Sequence, residues 1–382
     1  MALLARSWMS QRPARHGAGC DRASRLTTAP PRTLWPVHAA ILRLVLVLGV
    51  VVWATVGQPG PAAATTSYVS TLYGVSCPSA QFCVAVGGGI IASDTGGRSW
   101  TDEPTPSVLV SGIAAKVLTG VWCTSHRRCI AVGYAGIILT TSDGGVHWVQ
   151  RPVPAGTWNL AGIACSSADA CIAVGEGGSF SVIAITTKDG GATWHRSRVP
   201  SSVTQLSGVT CAASGPCIAL GGEHNNAAAA IILTTNSGTT WQSASVPSGA
   251  GYVWGASCPS ALRCIAVTAD NGIYGALATT DGGRQWQAAR FPQGVFEIGI
   301  SCPSTSDCVA VGTNAGLSAG RIVTTSNGGA SWVVRRVPKG VDDLYGVACP
   351  TAHICAAVGS TENGIVIVST DGGRSWQARH AL

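Results

Sequence analysis

The sequence predicts an all-β protein: a seven-bladed β-propeller of four-stranded antiparallel blades, with one disulfide inside each blade. Three observations predict it. Fourteen of the 15 cysteines fall into seven pairs, each with five residues between the partners. A turn ending in Gly-x-x-Trp follows every pair. The tryptophans of successive turns lie 44 to 48 residues apart, the length of four short strands and their connections.

The repeat reads in order. A short apolar run such as Leu72–Ser76 or Leu344–Ala348 precedes each pair, and a second such as Cys129–Gly133 follows it; both read as strands. The pairs are Cys77 with Cys83, Cys123 with Cys129, Cys165 with Cys171, Cys211 with Cys217, Cys258 with Cys264, Cys302 with Cys308 and Cys349 with Cys355. Cys20 is left over near the N-terminus. The spacing is unlike the C-x2-4-C of zinc sites or the C-x-x-C of redox motifs, and no histidine accompanies each pair. Pairs straddling a hairpin in an exported chain read as structural disulfides, and the sequence implies no metal and no cofactor.

A third strand, such as Gly136–Thr140, leads into the turn Thr141-Ser142-Asp143-Gly144-Gly145-Val146-His147-Trp148. It recurs around Asp189, Asp281 and Asp371, with asparagine in the acid's place at Asn236 and Asn327, and with Thr95 there in the first copy. The side-chain oxygen of Asp or Asn closes an Asx turn, the glycines supply positive φ, and the Trp buries a large apolar surface. These acids are therefore structural. A fourth strand follows each Trp and tends to end in Val-Pro, as at Val153-Pro154 and Val199-Pro200.

The pattern Ser/Thr-x-Asp-x-Gly-x-x-Trp resembles the Asp box of the bacterial neuraminidase repeat. The whole unit, over about residues 67–382, resembles the repeat of photosystem II stability/assembly factor-like propellers. That resemblance implies a non-enzymatic propeller that escorts a membrane complex during assembly. The neuraminidase likeness raises a second reading, a secreted exo-glycosidase. Sialidases carry an early Arg-Ile-Pro-like motif, but Arg198-Val199-Pro200, Arg290-Phe291-Pro292 and Arg336-Val337-Pro338 each sit in the fourth strand of a repeat, where a structural role suffices. No two carboxylates are paired by the sequence as hydrolysis would need.

Charge and hydropathy set the compartment. The formal charge of +7 is mostly leader: residues 1–64 hold seven arginines and one acid, Asp21. A near-neutral body gives no reason to expect nucleic acid. An apolar run from Leu44 to Val56 and an Ala62-Ala63-Ala64 site after a Gly/Pro break read as a signal peptide cleaved after Ala64. An uncleaved anchor over about 39–56 is the other reading, and the membrane is then met only through this segment. The expected division is a basic leader at 1–64 and the propeller at 65–382, placed outside the cytoplasm as a monomer.

Loop lengths locate the binding face. The first-to-second and third-to-fourth connections are fixed in length, whereas the second Cys and the turn Trp are separated by 17 to 24 residues. The variable connections share the opposite face, where binding is expected. Candidates there are Glu176, Glu223, His224, Asp270 and Tyr274 from one loop set, and Trp158, Tyr252, Trp254 and Glu297 from the other. Aromatic rings with carboxylates suit a protein segment or a glycan at the cell envelope.

Overall fold

The computed structural model describes residues 71–382 apart from 107–108, 111–112, 115–116, 214, 224–227, 269–274, 293–294, 315–318, 362 and 381–382. The leader and the positions His224, Asp270 and Tyr274 thus lie outside the described residues. Seven four-stranded antiparallel sheets follow one another along the chain, and they form the seven blades. Blades 1 to 7 span 72–103, 118–150, 157–197, 203–243, 253–289, 295–335 and 343–380. A small hairpin, Leu109–Val110 with Ile113–Ala114, lies in the long connection from blade 1 to blade 2. Among the described residues there is no α-helix, and so none long and apolar enough to cross a membrane.

Each blade is a simple meander, and its first strand lies beside the first strands of both neighbours. The contact runs round the ring and ends with blade 7 against blade 1. The first strands are therefore innermost. No blade borrows a strand from the other end of the chain, so the ring closes by packing alone.

The core consists of layers between blades. Second strands such as Cys83–Gly87 and Cys129–Gly133 are buried along their whole length. Sandwiched on both sides, they read as continuous apolar runs rather than as alternation. Alternate residues serve different layers: Val84 and Val86 join Leu118 and Ile137 of blade 2, while Cys83 and Ala85 join Val358 and Val366 of blade 7. The turn Trp of each blade fills the layer shared with the preceding blade, as Trp148 does with blade 1.

Glycines set how closely the inner strands approach. A Cβ on Gly74 would stand 3.1 Å from the Cα of Gly120, and one on Gly162 would stand 3.1 Å from the Cα of Gly208. In every blade the first strand carries a β-bulge at the residue before the equivalent glycine: Tyr73, Thr119, Ala161, Ser207, Trp254, Ile298 and Tyr345. A bulge leaves its extra residue unpaired and re-aims its side chain. Neighbouring inner strands are also tied by side chains: Ser76, Ser257 and Ser301 accept the amides of Cys123, Cys302 and Cys349 in the next blade.

All seven expected disulfides form, one per blade. Cys77 bonds Cys83 in blade 1, Cys123 bonds Cys129 in blade 2, and Cys165 bonds Cys171 in blade 3. Cys211 bonds Cys217 in blade 4, and Cys258 bonds Cys264 in blade 5. Cys302 bonds Cys308 in blade 6, and Cys349 bonds Cys355 in blade 7. In each pair the second cysteine opens the second strand of its blade: Cys217, Cys264, Cys308 and Cys355 are buried there as Cys83 is in blade 1. The disulfides share a face with the Asx turns. The Gly144 amide donates to the Arg127 carbonyl inside the neighbouring disulfide loop, and Gly190, Gly282, Gly328 and Gly372 repeat the bond to Asp169, Leu262, Ser306 and His353. This is the disulfide face; the connections of varying length occupy the opposite loop face.

Candidate functional site on the loop face

The disulfide face is occupied with its own architecture. In blade 2 the Thr141 hydroxyl donates to Asp143 Oδ1 and accepts the Gly145 amide, and Asp143 Oδ1 accepts the His147 amide at 3.0 Å. The same set is built on Asp189, Asn236, Asp281, Asn327 and Asp371. In blade 1 Thr95 substitutes, its hydroxyl accepting the Ser99 amide at 2.9 Å. These donors hold the carboxyls of Asp143 and Asp189 well below the usual range, Asp143 at about 2. A cleft of about 230 Å³ between blades 2 and 3 is lined by Trp122, Arg128, His147, Arg151 and Asp169. Of its carboxylates, Asp143 and Asp189 are committed to their turns, and Asp169 pairs with Arg128 at 3.5 Å.

The loop face carries exposed chemistry without such a structural duty. It concentrates where blades 2, 3 and 4 meet. Trp158 is the unpaired residue of a second bulge in Thr157–Cys165, and it is 49% exposed. Phe180, in the loop between Cys171–Gly177 and Val182–Thr187, is 75% exposed and meets the Trp158 ring edge-on at 5.5 Å. Tyr134 bridges to Asn159, whose Oδ1 accepts the Ala135 amide at 3.2 Å. Glu176 lies opposite Asn159 in the sheet and accepts a hydrogen bond from Gln205 of blade 4 at 3.2 Å. Glu223, at the corresponding end of blade 4, accepts from Ser202 at 2.8 Å. The Arg196 guanidinium reaches the same corner, close to Gly156 and Gly177.

The backbone takes up positive φ at the same corner. Among the described residues, four that are not glycine have positive φ: Ala135, Ser179, Phe180 and Ser237. The last sits in an Asx turn, where glycine stands in other blades. The other three lie in the two loops of this corner, at φ 57–58°. Ala135-Gly136 and Ser179-Phe180 are the central pairs of two-residue hairpin turns, closed by the Ile137 amide on the Tyr134 carbonyl and the Ser181 amide on the Gly178 carbonyl, a turn type that requires positive φ at both positions.

Further round the mouth, two aromatic pairs stand on or next to the innermost strands. Tyr252 contacts Trp254 at 4.7 Å, and Tyr73 contacts Tyr345 at 5.2 Å. Tyr252 is buried, so it supports Trp254 rather than presenting its own ring. Burial, with smaller contributions from Glu176, raises the Tyr252 and Tyr134 hydroxyls above the ordinary phenol value. Burial and the neighbouring Asp343 push Tyr345 up to about 12. Glu297 lies in the inner strand Val295–Ser301 of blade 6. The sequence reading missed Tyr134, Phe180 and Gln205. Only Phe180 left a trace, as a lone aromatic in the polar loop Gly177-Gly178-Ser179-Phe180-Ser181. Among the described residues no three His, Cys, Asp or Glu side chains converge on a metal position.

A family profile described as photosynthesis system II assembly factor YCF48 matches residues 110–382, well over half of the chain. The chain belongs to this YCF48 family. Solved structures agree on the fold. A YCF48 bound to a D1 peptide is 15% identical, with a TM-score of 0.51 and coverage of 82% of this chain and 81% of that one. A YCF48 from Cyanidioschyzon merolae is 13% identical, with a TM-score of 0.59 and coverage of 78% and 96%. The WD40 propeller domain of Doa1 is equally similar, at 13% identity, TM-score 0.58 and coverage of 80% and 95%. Such identities establish the propeller and leave the ligand open. Comparison with curated protein sequences gives no match. The YCF48 profile begins within the hairpin that precedes blade 2, so it covers the whole aromatic corner.

Proposed function

We propose that this protein is an exported, non-enzymatic assembly factor that holds a segment of a protein partner against its loop face. The observation that carries the reading is membership of the YCF48 assembly-factor family across residues 110–382. The peptide in a relative's structure supports a protein ligand over a glycan. The exposed Trp158–Phe180 pair supports the loop face as the place of contact. Seven disulfides support folding in an oxidising compartment, with the leader delivering the chain to the cell envelope. The propeller acts as a monomer.

The geometry favours binding over hydrolysis. Glu176 and Glu223, two of the loop-face carboxylates of the sequence reading, are engaged by different partners on separate blades. The test uses purified, oxidised protein in cross-linking pull-downs from the cell envelope, with the partner identified by mass spectrometry. Recovery of one envelope protein, lost in a Trp158→Ala/Phe180→Ala variant and kept in a His147→Ala variant on the other face, is the expected result. Hydrolysis of a chromogenic glycoside, abolished by Glu176→Gln or Glu223→Gln, would overturn it in favour of the glycosidase reading. N-terminal sequencing of the mature protein is expected to begin at Thr65.

A further inference from the structure

We infer that the corner formed by Tyr134, Trp158, Glu176 and Phe180 takes up a basic side chain, lysine or arginine, from an extended segment of the partner. The inference rests on the protein-binding reading and adds the chemistry that the segment must present. Three features of the corner converge on it.

The first is ring geometry. Trp158 and Phe180 meet at 68° and stand 5.5 Å apart, and both are open to solvent. Two rings in edge-on contact leave no space between them, so a ligand side chain lies against the outer surface of the pair. A cation over an aromatic face is attracted by the ring quadrupole, most strongly over Trp. The apolar stem of Lys or Arg covers the second ring while the head stays near water.

The second is charge. Glu176 lies across the sheet from Asn159, next to Trp158, and four residues before Phe180. Its carboxylate accepts a hydrogen bond from Gln205 on the innermost strand of blade 4, so it sits within the mouth rather than on the outer rim. Glu223 adds a second carboxylate at the equivalent end of blade 4. The Arg196 guanidinium reaches Gly156 and Gly177 in the same corner, so one cation stands against the two carboxylates. An acidic, aromatic corner disfavours an acidic ligand and complements a basic one.

The third is the backbone. Ser179 and Phe180 are consecutive residues in the left-handed region, and they hold a phenylalanine out in solvent. No buried layer of the propeller includes Phe180. The conformation is that of a two-residue hairpin turn, closed by the Ser181 amide on the Gly178 carbonyl, and it sets Phe180 edge-on to Trp158. A preset pair of rings loses little freedom on binding.

The test is selection of a phage-displayed library of random 12-residue peptides on immobilised, oxidised full-length protein, followed by affinity measurement on synthetic peptides. Enrichment of Lys or Arg at one position is expected. Trp158→Ala and Phe180→Ala each weaken the selected peptide about 10-fold, Trp158→Phe restores most of the affinity, and Glu176→Gln weakens binding while flattening its salt dependence. Unchanged urea midpoints confirm that the variants fold. Enriched peptides without a basic residue, or peptides bound equally by Trp158→Ala and Phe180→Ala, would overturn the inference while leaving the protein-binding reading intact. Failure of the wild-type protein to select any peptide counts against that reading itself. A glycan-array signal that Trp158→Ala abolishes, with no peptide selected, replaces both with a sugar site.

Discussion

The smallest unit that matters here is a hydroxyl. Thr141, Thr187, Thr234, Thr279, Thr325 and Ser369 are all buried, and each hydroxyl accepts a glycine amide while donating to the Asp or Asn two residues on. The sequence pattern displays this Ser/Thr, but its role emerges only from the fold, because only burial makes the bond obligatory. Thr187→Val keeps the shape and strands the Gly191 amide. A loss of about 1–3 kcal/mol is expected for an unsatisfied buried donor, read from the urea midpoint. The acids of these turns give a pH signature. Bonds from His147 and Thr141 lower Asp143 to about 2; at Asp371 burial opposes the shift, but bonds from Ser375 and Ser369 outweigh it and again leave about 2. Unfolded, both titrate near 4. Their folded values are depressed, so their contribution is fully present above about pH 4 and disappears as pH falls through about 2. Asn236 and Asn327 hold the same turn without titrating. Urea midpoints measured from pH 7 to pH 2 are therefore expected to fall between about pH 4 and 2 in the wild type. The fall is expected to be shallower in an Asp143→Asn/Asp371→Asn variant.

At the scale of strands, spacing made the blades legible. Cysteines five residues apart mark where a first strand ends and a second begins, and the structure places Cys165 directly opposite Cys171 and Cys211 directly opposite Cys217. What spacing does not record is a bulge, because an unpaired residue looks like any other. The seven bulges, which leave Tyr73, Trp254 and Tyr345 outside the paired ladder, had no signature beyond a following glycine. Trp158 was legible as an aromatic in a variable connection. Its partner Phe180 was not, since the contact joins two loops that sequence cannot place side by side. Glycines at the ends of second strands carry a testable constraint. A Cβ on Gly359 would stand 1.9 Å from the Asp343 carbonyl oxygen, inside the hydrogen-bonded pair of the first two strands. Backbone must move to admit it, so Gly359→Ala is expected to cost about 1–3 kcal/mol or more, as in an overpacked core. Gly178→Ala meets nothing within 4 Å and is expected to leave the midpoint in place. Equal midpoints for the two variants would show that the close approach is not constraining.

For the whole molecule the deciding question is how a ring with no shared strand stays shut. Blade 1 is built wholly from 72–103 and blade 7 wholly from 343–380, so no hydrogen-bonded sheet links the two ends. Closure falls to one packed layer: Leu72, Cys83, Ala85, Ile91 and Trp100 against Ala356, Val358, Val366 and Val368, with Tyr73 on Tyr345 above it. That layer resembles the six others in size and residue type, so the ring has no special clasp. It differs in connectivity: the other layers join blades consecutive in the chain, whereas this one closes a loop of the entire propeller. Leu72 and Leu206 isolate the difference. They hold equivalent places, both essentially fully buried, one in the closing layer and one between blades 3 and 4. Either Leu→Ala change is expected to cost about 2–5 kcal/mol by loss of buried surface and cavity formation. Repeat arrays are stabilised through nearest-neighbour interfaces, so the consequences should spread differently. Leu72→Ala frees two chain ends, and amide exchange is expected to accelerate through blades 1 and 7 while blade 4 stays protected. Leu206→Ala leaves blades 3 and 4 joined by a short connection inside a ring that is still closed, so exchange there is expected to rise less. Hydrogen exchange followed by mass spectrometry on the two variants reads this directly, and equal protection of blade 1 in both would mean that the closing layer is no weaker than the rest.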